Sequence, residues 1–517
     1  MGALPSQFVS PLHGVRILFC ISLVTCMAME GVAGKISAEE NVPATMQRVV
    51  QDEWELIELS GVPAGYGRFR EFAFAREEKV FHQIDSVMRM RMRRLGQKVE
   101  VAISVQATLD PAGRMTDFRT ETDLGGQLAV TTGRVRGENL EVTTRQGGQV
   151  ATERIPWGEE NHGFFYEQRL LEKHPMVPGE QRKFSGFLPI FHRVAVTTLI
   201  AGAWTETTLL NQSKELLPIQ SQTTLAGQQF TATLWMDRRG RILKTEEPTL
   251  GQTVTRTTKA KALAEQNAAP PDLIAGTVIP LKRKSSALPT ARSARYRVRV
   301  TGAGDKSPFP DSGAQTCRPG GEKETWDLVV HASNDRESSR TKDHKNLPQA
   351  ADRASNRYID QKDVTIRQLA TEVEAAETEA MLARALAEKV YVWITRKDFS
   401  TVLATATEVA RTRSGDCTEH AVLLAALARA RGLPARVVVG LVYVPSLGGF
   451  AYHMWNQIWC EGAWRFFDAT RPDGRCGAGH IKIADAALDD QSGLTVFLPV
   501  MGVMGRTEIE LRELVHD

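Results

Sequence analysis

Cys417, His453 and Asp468 are the residues of this chain whose types and order could carry out nucleophilic chemistry. Cys417 lies in Ser414-Gly415-Asp416-Cys417-Thr418-Glu419-His420-Ala421, His453 in His453-Met454-Trp455-Asn456, and Asp468 in Phe467-Asp468-Ala469-Thr470. A thiol attacks once a neighbouring base takes its proton, and the base works best when a carboxylate fixes its tautomer. In chain order the three residues offer a nucleophile, a base and an orienting group for attack on an amide or peptide carbonyl.

These side chains need elements that bring them together. Asp416 is a helix-capping residue, Gly415 permits a sharp turn before it, and Val422, Leu423, Ala426, Leu427 and Ala430 continue a helix that Gly432-Leu433-Pro434 stops. Cys417 then opens a helix, where unpaired N–H groups favour a thiolate and can hold an oxyanion. Trp455–Cys460 and Ala463–Asp468 flank Glu461-Gly462 and read as a hairpin. Pairing Cys460 with Ala463 places Trp455 opposite Asp468 and His453 opposite Thr470. His453 and Asp468 are then diagonal neighbours on one face, with Cβ atoms about 7–8 Å apart. A slip of one residue would send them to opposite faces.

Together with Arg429-Ala430-Arg431-Gly432-Leu433-Pro434-Ala435-Arg436 and Trp464-Arg465-Phe466-Phe467-Asp468-Ala469-Thr470, these motifs resemble the transglutaminase-like superfamily over roughly Asp363 to Leu498. The resemblance implies a papain-like fold with a helix-borne cysteine packed on an antiparallel sheet. It assigns Cys417 as nucleophile, His453 as base and Asp468 as orienting residue. Gln457 stands where many relatives carry glutamate, a change expected to leave the triad intact. His480 matches a common family position and is expected to be structural. His420 could share a helix face with Cys417, but two further ligands at metal spacing are missing, so no metal site is expected, and no cofactor. Trp393 has no spacing that ties it to the site.

The fold class expected for the whole chain is α+β, with a β-rich N-terminal domain ahead of the transglutaminase-like one. Its 517 residues are too many for one ordinary core. Residues 40–258 carry period-two runs at Val99–Val105, Leu128–Arg134, Leu140–Thr144, Val194–Ile200, Trp204–Leu210 and Phe230–Met236, with turn signals at Asp110–Gly113 and Asp237–Gly240. Their histidines, His162, His174 and His192, read as packing or surface residues, and this domain as a binding or scaffolding module. Residues 259–295 read as a linker, 296–362 as a small β bridge with a polar surface loop, and 363–517 as the catalytic domain.

A net charge of +3 gives no reason to expect nucleic acid. His13 and Arg16 precede an apolar run, Ile17–Met29, too short for a comfortable membrane span, so residues 1–34 are expected to be a signal peptide or short anchor. The protein is therefore expected to be exported to the periplasm or cell envelope, touching membrane only through an uncleaved N-terminal segment. Its six cysteines are too few for a disulfide-built scaffold. Cys460 and Cys476 either pair, or Cys460 is a buried strand residue. The expected activity is acyl transfer through a thioester on Cys417, acting on a protein or peptide, cell-wall peptide included. The alternative is a catalytically silent exported scaffold that uses the domain for binding.

Overall fold

The computed structural model describes residues 48–515 except 95–96, 125–126, 250, 265–268, 273–276, 313, 333–345, 398–402 and 490–492. The segment expected to direct export lies outside the described residues. The chain divides into two compact units between residues 272 and 273. Among the described residues no helix is long and apolar enough to cross a membrane.

The first unit is a long, almost wholly antiparallel sheet. Eight strands from Arg48–Leu59 to Gln149–Pro156 pair in chain order, and the last strand, Gln252–Thr257, returns to pair with the first. Alternation decides which face is buried: Gln97–Leu109 turns Val99, Val101, Ile103, Val105, Ala107 and Leu109 inward. The two aspartate turns use the same chemistry. The Asp110 carboxylate accepts from the N–H groups of Ala112 and Arg114, and Asp237 does the same for Arg239 and Arg241. The stretch that begins at residue 259 opens as a helix, Lys259–Ala264.

The second unit combines two antiparallel sheets with helices. One sheet holds Ala435–Val444 between Gly449–Cys460 and His480–Ala486, with Ala463–Phe467 and Ile279–Pro280 on the far side of Gly449–Cys460. The other orders Gln315–Pro319, Thr325–His331, Ser293–Val300 and the C-terminal Thr507–Val515. Gln315 staples the two sheets: its amide nitrogen donates to the Lys482 carbonyl at 3.0 Å, and its amide oxygen accepts from the Lys482 N–H at 2.9 Å. Tyr296 adds a hydroxyl bond to the Ala478 carbonyl at 2.8 Å.

The helix Cys417–Ala430 packs on the first of these sheets, and all of Thr418 to Arg429 is buried. The hairpin register is the one derived from its turn: Cys460 pairs with Ala463 and Asn456 with Phe467. Gly440 faces His453 across the neighbouring strand pair. A Cβ there would lie 2.2 Å from the Ile481 carbonyl oxygen and 2.7 Å from the Trp455 ring. Backbone cannot yield cheaply, so Gly440→Ala is expected to lower stability by about 1–3 kcal/mol, read from the urea midpoint. An unchanged midpoint would contradict this packing.

Candidate active site

Cys417 is the first residue of its helix and is partly exposed. Asp416 caps it: one carboxylate oxygen accepts from the Thr418 N–H at 2.8 Å and its hydroxyl at 2.9 Å, while Glu419 reaches back to the Asp416 N–H at 3.0 Å. Gly415 has to be glycine, because a Cβ would lie 2.2 Å from the Glu419 Cβ. The other motif residues hold this element in place. The Asn456 amide donates to the Ala421 carbonyl at 2.8 Å and so ties the helix to the histidine strand. Arg429 donates to the carbonyls of Ala354, Ala435 and Ala487 at the far end of the helix. Arg436 makes a two-pronged pair with Asp352 at 2.7 and 2.8 Å.

His453 sits in mid-strand, and its Nε2 lies 2.9 Å from Asp468 Oδ2. Cys417 lies close enough to His453 to act on the imidazole's charge. With Nε2 committed to Asp468, Nδ1 is the nitrogen left for the sulfur. Asp468 stands just past the end of its strand, where its N–H bonds to the Gly474 carbonyl at 3.1 Å. Its Oδ1 accepts from the Thr470 N–H at 2.9 Å and hydroxyl at 2.6 Å. The three residues named from sequence are therefore brought together.

A fourth residue joins them. His480 Nε2 lies 3.1 Å from the same Asp468 oxygen, and His480 is buried. The family position alone marked it, with no indication of this contact. Trp455 packs against both rings, with centroids 6.0 Å from His453 and 5.3 Å from His480. Trp393 is directed elsewhere, donating its indole N–H to the Ala410 carbonyl. Gln457 accepts from the buried Lys482 ammonium at 2.7 Å, and that ammonium also pairs with Asp485 at 2.5 Å. Cys460 and Cys476 are both buried and are not joined by a disulfide.

Residues 367–469 match the family model described as the transglutaminase-like superfamily. The second unit carries a transglutaminase-like domain. No curated protein matches the chain. Among solved structures, a candidate cysteine protease from Cytophaga hutchinsonii is 17% identical, over 42% of this chain and 82% of that one, with a TM-score of 0.25. A β-barrel-like protein of a domain of unknown function from Brucella abortus is 11% identical, over 40% and 95%, with a TM-score of 0.30. The periplasmic domain of TgpA from Pseudomonas aeruginosa, bound to ethylmercury, is 15% identical, over 35% and 91%, with a TM-score of 0.19. Scores this low support neither a shared activity nor a shared substrate.

In the transglutaminase-like domain, charge is arranged around Asp468. Burial works against the carboxylate, but the charge and hydrogen bond of His453, with the His480 bond, hold it well below the usual range. For His453, burial opposes protonation, yet Asp468 and then Cys417 push the imidazole up to about 10. At His480 burial dominates and lowers the imidazole, against the opposing pull of Asp468. Among the described residues, His453, Asp468 and His480 could hold a metal ion, their ligating atoms lying within 4.8 Å of one another. Both histidines, however, already address one carboxylate oxygen, as ring N–H donors do.

These shifts set a pH dependence. The raised His453 value contributes stability that is complete below the ordinary histidine value of about 6.5 and is lost as pH rises through about 10. The depressed Asp468 value contributes above the ordinary aspartate value of about 3.9 and is lost as pH falls through the lower folded one. Urea midpoints should therefore decline from pH 6.5 to 10. His453→Gln should flatten that decline, and an equally steep decline in the variant would refute the assignment.

In the first unit, a cleft of about 730 Å³ is lined by Trp157, His162, Phe164, Tyr166 and Arg169. His162 stacks on Tyr166 with centroids 3.5 Å apart, and His192 bonds Glu153 at 2.5 Å, so both have packing partners.

Proposed function

We propose that the protein is an exported thiol acyl-transfer enzyme acting on amide bonds of a protein or peptide, cell-wall peptide included. The observation that carries this reading is His453, bonded through Nε2 to the buried Asp468 carboxylate at 2.9 Å, with Cys417 near enough to add to the upward push on its imidazole. His453 Nδ1 takes the thiol proton. The sulfur attacks the carbonyl carbon, and the π electrons move to oxygen, where helix-start N–H groups hold the oxyanion. Collapse breaks the C–N bond, and the leaving amine takes its proton from His453. A thioester remains on Cys417. Water or a primary amine then attacks, gives its proton to His453, and releases the acid or a new amide with the thiolate restored. For an exported enzyme of this kind we favour water as the acceptor.

The test is mass spectrometry of the protein incubated with a glutamine peptide and a primary amine, alongside p-nitrophenyl acetate as a general acyl donor. Acid product, amine-linked product or an acetyl group on Cys417 supports the reading, and Cys417→Ala should lose all three. Wild-type protein that stays inert to both donors, and so behaves as a silent scaffold, would sink it.

A further inference from the structure

Two residues outside the triad act on the peptide that precedes the nucleophile. His420, three residues after Cys417, is 1% exposed, and its Nδ1 bonds to the Asp416 carbonyl. A carbonyl oxygen only accepts, so Nδ1 carries the hydrogen. The His420 backbone N–H donates to the same oxygen at 3.0 Å. On its other side, His420 Nε2 lies 2.8 Å from the Lys397 ammonium, which only donates. The tautomer is thereby fixed: Nε2 is bare and accepts from Lys397, and Nδ1–H donates to Asp416. Burial, with Lys397 second, lowers His420 to about 4, consistent with a neutral ring. Lys397 is held in register for this contact by a two-residue parallel pairing, Arg396 with Ser414 and Lys397 with Gly415.

The Asp416 carbonyl belongs to the same planar unit as the Cys417 N–H. In a trans peptide the two point in opposite directions, and the described chain has no cis bond. Two donors gripping the carbonyl from inside the helix therefore aim the Cys417 N–H outward from the helix start. They also polarise it, because hydrogen bonds in a chain strengthen one another. That N–H is a backbone donor at the nucleophile itself.

We infer that His420, oriented by Lys397, is a positioning residue that holds the Asp416–Cys417 peptide so that the Cys417 N–H serves as an oxyanion donor. The inference rests on the acyl-transfer reading above. It separates two properties of one cysteine. Displacement of iodide from iodoacetamide needs a nucleophilic sulfur but forms no oxyanion. Acetylation by p-nitrophenyl acetate passes through a tetrahedral oxyanion. Removing a whole oxyanion donor costs about 10²–10³ in rate, so a misaimed one should cost about tenfold or more.

The experiment compares both rates in wild type, His420→Ala, His420→Asn and Lys397→Met. His420→Ala should slow acetylation about tenfold or more, with alkylation within about twofold of wild type. His420→Asn, whose amide can replace the Nδ1 donor, should recover most of the loss. Lys397→Met, a change at an exposed position, should show the same split in milder form and serves if His420→Ala fails to fold. Equal loss of both rates, or no loss in either, would overturn the positioning role. Wild-type protein that is alkylated but never acetylated would instead bring down the acyl-transfer reading itself.

Discussion

Asp468→Asn is expected to slow acylation of Cys417 by about 10³–10⁴-fold while leaving the fold intact, on the scale known for the orienting carboxylate of a nucleophilic triad. The size of the effect follows from how fully Asp468 is used. Its Oδ2 accepts from His453 and His480, and its Oδ1 from two donors of Thr470. An asparagine can keep only one side of this arrangement. With its oxygen toward the histidines, its NH₂ meets the Thr470 N–H, donor against donor. Turned over, its NH₂ meets both rings and forces His453 toward the wrong tautomer. In either orientation the charge that sustains the His453 imidazolium is gone. The acetylation burst with p-nitrophenyl acetate measures the rate, and thermal unfolding checks the fold. A loss under tenfold in a variant that still unfolds cooperatively would show that His453 works without Asp468.

Trp455→Ala should be the most costly of the single changes near the site for stability, at about 3–5 kcal/mol. Trp455 is 1% exposed and shares a core cluster with Ala314, Val438, Phe466 and Cys476. Its ring meets Phe466 edge-on at 6.0 Å and also contacts both histidines. The void left by an indole would be lined on one side by strand backbone and on another by the rings of His453 and His480, so collapse would displace the rings. Such a loss is a large share of the 5–15 kcal/mol that typical domains possess. Urea unfolding gives the size. A loss below about 1 kcal/mol would mean that the site does not depend on this packing.

The parts of the site that could be read from sequence are those governed by local rules. The turn at Glu461-Gly462 determined a hairpin register that the strand pairs reproduce, and the Asp416 cap determined where the nucleophile helix begins. The site geometry itself departs from the flat-sheet derivation. Strand pairing stops at Phe467, and the chain turns so that Asp468 bonds to Gly474, which means a turn rather than a diagonal sheet contact presents the carboxylate. His480 arrives from a strand that pairs with Ala435–Val444, one strand removed from His453, and no periodicity encodes that distance. Lys397 lies in a two-residue strand, too short to leave a pattern. The β-rich character of the first unit was legible from period-two runs. The return of its last strand to its first was not, because long-range pairing leaves no local mark.

The helix bearing Cys417 and the strand bearing His453 touch only once the core between them has formed, with Asn456 bonded to Ala421 as the clasp. The sulfur and its base are far apart along the chain, and the orienting carboxylate is further still. Before folding, then, the chain carries a cysteine without His453 and Asp468 beside it. On the acyl-transfer reading, the packing that stabilises the domain is also what brings His453 to the thiol. Any change that loosens the clasp should disarm the thiol before the domain unfolds.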